Sequence, residues 1–386
     1  MWERLREWFS ERKQKLDLFD ETNVERYGNP LYLLGQIVYF SWIVVIVSGI
    51  LLMIWYEPTT HGAYNSILRI QHEIPFGWLI RGMHKYGADM LIIAITLRIY
   101  RMYFLGEYKR PNELSWMILF GSLVLAMISG LTGYLLIWNQ RAFWAAKVVL
   151  TVAVYLDQLP LIGQTRFGSA IAFAFLGGPA EGQGTLTRFY AIHFGISVLL
   201  LILVELYFIF TRRKRFNLSP TALVILLLML VAASWIFPAE MGRRADPNRT
   251  PLPILSDWYF LALYQYVKYT PPLWAGLGPG LLIAYGMLVP FLDRSKGRRP
   301  SERPFFTVVG IMALTYFLVF TALILFNIAV IGRDPHIVLV LTALTLTLGF
   351  LLEIRYRRKV RAAEAAAPRP APRAVPAARP APSSGA

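Results

Sequence analysis

Five histidines are scattered through 386 residues, and two of them, His84 and His193, fall inside long apolar stretches. Each lies about six or seven residues in from the same end of its stretch, so the two imidazoles reach a similar depth. An imidazole at such depth either hydrogen-bonds a neighbouring helix or binds a metal. Two of them on facing helices can clamp one haem iron from both sides. Arg81 stands one turn before His84, and Arg188 five residues before His193. Both fall on the outer side, where haem propionates need cations. Gly35 and Gly49, fourteen residues apart, share roughly one helix face. With Gly130 and Gly133 they fit the close approach of a flat macrocycle or plain helix packing. Asp257 is the other candidate for chemistry: a loop carboxylate either accepts a proton or caps a short helix.

The elements that must hold these groups are set by composition. Apolar residues make up 56% of the chain and charged residues 16%, the balance of an integral membrane protein. Eight apolar segments approach the ~20 residues that cross a bilayer: 31–55, 78–104, 114–138, 186–211, 218–237, 277–292, 305–331 and 336–354. The net charge of +16 does not point to nucleic acid, because the basic residues cluster between the spans. The connections on one side carry 23 Lys and Arg, and those on the other nine. That bias places both termini in the cytoplasm. Residues 1–29 are charged and amphipathic, without the apolar core of a cleavable signal peptide. Residues 362–386, rich in Ala and Pro, are expected to be disordered. With no cysteine, the chain offers neither thiolate ligation nor covalent c-type haem attachment.

At the same residues the chain resembles the cytochrome b/b6 family. Gly77-Trp78-Leu79-Ile80-Arg81-Gly82-Met83-His84 looks like that family's second helix, and Thr185 to His193 like its fourth. Gly130-Leu131-Thr132-Gly133-Tyr134, then Trp138-Asn139-Gln140, is similar to the end of the third. Ser256-Asp257-Trp258-Tyr259 resembles the Pro-Glu-Trp-Tyr element of the outer quinol site. The resemblance runs from about residue 28 to 360. It implies an all-α membrane fold: a four-helix haem-binding domain over 30–216 and a C-terminal domain over 217–361. It further implies haem b, quinol as substrate, and a Rieske protein and c-type cytochrome as partners, in a homodimeric complex of the bacterial inner membrane. By the same resemblance His84 and His193 are axial ligands, with Arg81, Arg188, Gly49 and Gly133 around the haem. Asp257 then serves as proton acceptor, and Tyr259, Tyr134 and Tyr264 line the quinol site.

The departures fall on one side of the membrane. The family's inner haem takes a histidine fourteen residues after His84, where this chain has Arg98. Its partner lies fourteen or fifteen residues after His193, where Tyr207 and Phe208 stand. His61, His72 and His336 belong to outer connections, a glycine expected on the third helix is Leu119, and the position of covalent attachment in cytochrome b6 is Leu33. One non-covalent haem b on the outer side is therefore expected. Ligand levels fourteen residues apart lie about 21 Å apart along a helix, so the usual inward relay is interrupted. Arg98 either pairs with Glu205 at similar depth or reaches the cytoplasmic interface. Two other readings compete: a haem-bearing anchor without quinol chemistry, and a transporter using Arg98 and Glu205 as intramembrane charges.

Overall fold

The computed structural model describes residues 2–14, 31, 33–160, 163–178, 180–211, 218–250, 256–326 and 336–366. These form thirteen α-helices and no strand. In chain order they are α1 (Trp2–Gln14), α2 (Leu34–Met53), α3 (Ala63–His72), α4 (Gly77–Phe104), α5 (Glu113–Leu135), α6 (Gln140–Val154), α7 (Phe167–Leu176), α8 (Gln183–Thr211), α9 (Pro220–Ile236), α10 (Trp258–Lys268), α11 (Pro272–Leu292), α12 (Pro304–Leu325) and α13 (Ile337–Ala366).

Eight of these helices fall on the eight apolar segments: α2, α4, α5, α8, α9, α11, α12 and α13. Six are long and apolar enough to cross a membrane. The other two depart for identifiable reasons. Helix α9 has 17 residues, and the 28-residue α4 carries Arg81, Lys85, Asp89, Arg98 and Arg101. The chain is a multi-pass membrane protein, and Leu228, Leu282, Leu318 and Leu344 are exposed on four different helices.

Helix α4 pairs most closely with α2, and α5 with α8, and α4 also meets α5 and α9. The result is a bundle with α4 at its centre. One core lies between Tyr39 and Trp42 of α2, Leu91, Ile95 and Ile99 of α4, Trp116 and Ala126 of α5, and Leu200 of α8. A second core sits at the outer end, where Leu135, Leu136 and Trp138 meet Phe143, Ala146, Leu186 and Phe189. The two are separated along the bundle, and the histidines lie between them.

At the opposite end the connection from α11 to α12 docks under α4. Asp293 there is fully buried and takes Tyr108 Oη at 2.5 Å, Lys109 Nζ at 3.2 Å and Arg303 Nη1 at 3.5 Å. Arg303 also donates to the carbonyls of Tyr103 and Phe104. A buried charge is tolerated when its hydrogen bonds are complete, and these bonds fasten the C-terminal helices to the bundle. Helix α13 continues to Ala366, so the first residues of the Ala/Pro-rich tail are helical. The stretch 15–30 of the amphipathic N-terminus and the rest of the tail lie outside the described residues.

Candidate functional site

His84 and His193 face one another across the bundle. Their ring centres are 6.2 Å apart and their planes are inclined at 67°. A metal–imidazole bond of about 2 Å on each side, plus the distance from nitrogen to ring centre taken twice, comes to roughly 6 Å. His84 Nδ1 lies 3.0 Å from the carbonyl of Val45, and His193 Nδ1 2.9 Å from that of Ser129. A carbonyl only accepts, so each Nδ1 carries the proton and each Nε2 keeps its lone pair for a ligand bond. Ser48 Oγ stands 3.1 Å from His84 Nδ1 and supports the same ring orientation.

Two glycines leave the room these rings use. A Cβ at Gly49 would stand 3.0 Å from Cε1 of His84, and one at Gly133 would stand 2.5 Å from Cε1 of His193. Side chains there would drive the imidazoles out of line. Neutral, oriented imidazoles on facing helices, each over a glycine, fit a bis-histidine haem.

Arg81 lines the same cavity and is 7% exposed. It donates to Gln71 Oε1, the carbonyl of Ala239 and the carbonyl of Glu240, each at 2.7 Å. Three of its five N–H groups are thus engaged, leaving two for an anionic ligand. Arg188 is placed differently. It is exposed, bonds the carbonyl of Gly184 at 3.2 Å and lies over Gly177, so its guanidinium serves the turn between α7 and α8 and does not line the cavity.

The cavity has a volume of about 1330 Å³ and runs from the two histidines to Asp257, Tyr259 and Tyr134. Ordinary small-molecule sites measure roughly 300–1,000 Å³. The space therefore suits a macrocycle together with a second ligand. Its outer wall is the α9–α10 connection, held down strand-like by the start of α6. Asn139 Nδ2 donates to Met241, Gln140 N to Arg243, and Ala245 N to Trp138, with Asn139 and Arg244 bridged antiparallel. Trp138 turns the chain there with a φ of 53°. The Trp138-Asn139-Gln140 motif is thus a clasp for the loop that ends in Asp257.

Asp257 occupies the N-cap position of α10, yet its side chain makes no capping bond. It turns to Arg141, whose Nη2 is 3.3 Å from Oδ1 and 3.1 Å from the carbonyl of Ser256. Arg141 also reaches Glu240 at 3.4 Å. Burial pushes the Asp257 carboxyl above its ordinary range, against the opposing pull of Arg141 and Lys85. Burial likewise keeps the Tyr259 phenol protonated well above its usual range, so Tyr259 is a neutral group here. Tyr134 Oη and Ser256 Oγ are buried without hydrogen-bond partners among the described residues. Buried polar groups are normally satisfied, so both suit a ligand that brings its own donors and acceptors. Tyr264 lies outside the cavity, with Lys268 Nζ 4.4 Å over its ring.

The sequence reading missed Arg141, Glu240, Lys85 and Asp89, all of which line the cavity. Lys85 and Asp89 did leave a signal, as opposite charges four residues apart within a span. Arg141 left only its place beside Gln140.

The inner level differs throughout. The Arg98 guanidinium lies directly over Gly35, in the space a Cβ would enter. Leu119 packs against the core of Tyr39, Trp42 and Trp116. Glu205 takes the hydroxyl of Tyr39 at 3.4 Å. His61, His72 and His336 are exposed.

The sequence-family profile for Cytochrome b/b6/petB matches residues 20–215, and that for Cytochrome b(C-terminal)/b6/petD matches residues 244–351. The chain belongs to the cytochrome b family. Membership carries haem b binding with it, in agreement with the paired imidazoles. A relative described as a cytochrome bc complex cytochrome b subunit, from Chlorobaculum thiosulfatiphilum, is 31% identical over 81% of this chain and 79% of its own. The cytochrome b6 of Porphyra purpurea is 34% identical over 54% of this chain and 95% of its own. Among solved structures, one titled Hyperthermophilic respiratory Complex III shares the fold with a TM-score of 0.70. It is 24% identical and covers 84% of this chain and 90% of that one.

Proposed function

We propose that this cytochrome b is the membrane subunit of a bc/b6f-type quinol oxidoreductase complex, oxidising quinol in the outer cavity and carrying one non-covalent haem b between His84 and His193. The supporting observation is the single cavity that joins the imidazole pair to Asp257. When bound, the haem supplies a one-electron carrier within the bilayer.

The residues around it have separable tasks. Val45 and Ser129 fix the tautomers of the ligands, and Gly49 and Gly133 keep space beside them. Arg81 ties α4 to the α9–α10 loop and keeps two donors in reserve. Quinol oxidation releases protons, and Asp257 is the carboxylate positioned to take one, with Arg141 holding it in place. Tyr134 and Ser256 offer hydroxyls to the quinol ring oxygens. Electrons leave to a Rieske protein and a c-type cytochrome, the partners that the family implies. A second haem at the inner level is not part of the reading, because Arg98 and Leu119 occupy that level and no histidine is there.

The test is the purified complex assayed for quinol-dependent cytochrome c reduction, with haem b measured against protein mass. One haem b per chain with quinol turnover supports the reading. Two haems b per chain, or haem without quinol turnover, would overturn it.

A further inference from the structure

Among the described residues four lysine and arginine side chains line the cavity: Arg81, Lys85, Arg141 and Arg243. Two are taken up by carboxylates, Lys85 by Asp89 at 2.8 Å and Arg141 by Asp257 at 3.3 Å. Arg81 keeps two N–H groups in reserve after its bonds to Gln71, Ala239 and Glu240. The Arg243 guanidinium makes no hydrogen bond or ion pair among the described residues. Its backbone, by contrast, is held closely. Arg81 binds the carbonyls of Ala239 and Glu240, Asn139 Nδ2 that of Met241, Tyr64 Oη that of Gly242 and Gln140 N that of Arg243 itself. Arg244, the next residue, is bridged antiparallel to Asn139, and successive side chains of an extended strand point to opposite faces. The two arginines obey that alternation. Arg244 turns to the carbonyls of Thr60 and His61 at 3.2 and 3.3 Å and does not line the cavity, whereas Arg243 does. A fixed backbone therefore presents an uncommitted guanidinium to the cavity.

We propose that Arg243 binds a propionate of the haem, as the second cation beside Arg81 and in the role expected of Arg188. The inference rests on the reading that the haem lies between His84 and His193 in this cavity. Haem b carries two carboxylates, and a carboxylate removed from water needs a cation and hydrogen bonds. Arg188 supplies neither here, because it bonds the carbonyl of Gly184 and stands outside the cavity. Arg243 lies three residues beyond Glu240, whose carbonyl Arg81 binds. The chain between those points spans at most about 11 Å, so both guanidinium groups enter the cavity from neighbouring positions. Each can meet a carboxylate with two parallel N–H bonds, and together they balance its two negative charges. Quinol, the other occupant, is uncharged and has no need of a counter-ion. The same contact fastens the α9–α10 loop, which ends in Asp257, to the edge of the haem.

Resonance Raman spectroscopy of the purified complex tests this, because the propionate bending band moves with the hydrogen bonds that the carboxylates accept. The variants are Arg243→Gln, Arg243→Lys, Arg244→Gln, Arg188→Gln and His84→Leu, each with haem measured against protein. Arg243→Gln is expected to shift the band and to speed haem loss on dilution about tenfold, as for a lost hydrogen bond to a charged group. It should also lower the haem midpoint potential, since reduction adds an electron and a nearby cation favours it. Arg243→Lys keeps the charge and should recover most of the potential. Should Arg243→Gln lose its haem altogether, Arg243→Lys carries the test, because lysine cannot make the paired bonds and its band should shift as well. Arg244→Gln loosens the loop without touching a propionate, so its band should stay in place, as should that of Arg188→Gln. An unmoved band in Arg243→Gln, or an equal shift in Arg188→Gln or Arg244→Gln, would overturn the proposal. The placement of the haem is judged separately. Full haem retention in His84→Leu would defeat that placement, whereas haem loss there with an unmoved band in Arg243→Gln defeats this inference alone.

Discussion

The outer and inner halves of this bundle are built from the same helices and reach opposite results. At the outer level α2 and α5 present Gly49 and Gly133, and the facing helices present His84 and His193 with their ligand nitrogens free. Fourteen residues further along, α2 again presents a glycine, Gly35, but α4 answers with Arg98, whose guanidinium covers it. Helix α5 presents Leu119, which joins the neighbouring core. A haem level therefore consists of ligands together with the empty volume between them. Here both features are present at one level and both are gone at the other.

The comparison breaks most completely at the ligands. Replacing His84 or His193 with leucine should take the haem-to-protein ratio from about one to near zero, because a haem clamped from two helices loses half its axial ligation. Pyridine haemochrome analysis measures it, and a retained full complement would place the haem elsewhere. Next in size is the carboxylate. Asp257→Asn should slow quinol oxidation by roughly 10²–10⁴-fold with an unchanged haem spectrum. The sign of its pH dependence follows from the protonation state required. Only the ionised carboxylate accepts a proton, and burial raises the pKa, so turnover should fall as pH drops through a value above the ordinary carboxylate range. That limb should vanish in the asparagine variant.

A sharper form of the comparison is to rebuild the inner level. Arg98→His with Tyr207→His restores imidazoles at the family spacing, yet Leu119 still fills the position of a missing glycine. Overpacking costs about 1–3 kcal/mol, so the double variant should bind a second haem poorly, and adding Leu119→Gly should raise its occupancy. Full occupancy in the double variant would mean that ligands alone separate the two levels. The smallest effect concerns the outer glycines. Gly133→Ala should loosen haem more than Gly49→Ala, since the added Cβ comes closer to the imidazole at Gly133. Haem loss on dilution would rank them, and the reverse order would show that α2 yields less readily than α5.

Much of the architecture was legible in the chain before folding. Apolar runs of bilayer length give helices because lipid offers no partners for unpaired backbone groups, and eight helices do fall on the eight segments. The pairing of His84 with His193 was legible for a related reason. Depth in a membrane is measured by residues along a helix, so sequence position converts directly to level. The absence of inner histidines could be read the same way.

Rotation about a helix and the path of a loop are not fixed by depth, and these were decided by tertiary structure. Arg81 and Arg188 look equivalent as cations before a histidine. Folding sends one into the cavity, bonded to the α9–α10 loop, and the other out over Gly177. Tyr264 follows Tyr259 by five residues, and the turn of α10 carries it out of the cavity. Asp257 looked like a helix cap, until the clasp at Trp138–Gln140 set the loop in place and turned its side chain to Arg141, a residue 116 positions away. Asp89 required the same loop, because its second donor is Trp258. The sequence determined the helices, their levels and the facing imidazole pair, because those depend on local spacing and on the solvent. Tertiary structure alone decided which charges share the cavity, because that depends on contacts between segments that nothing in their spacing brings together.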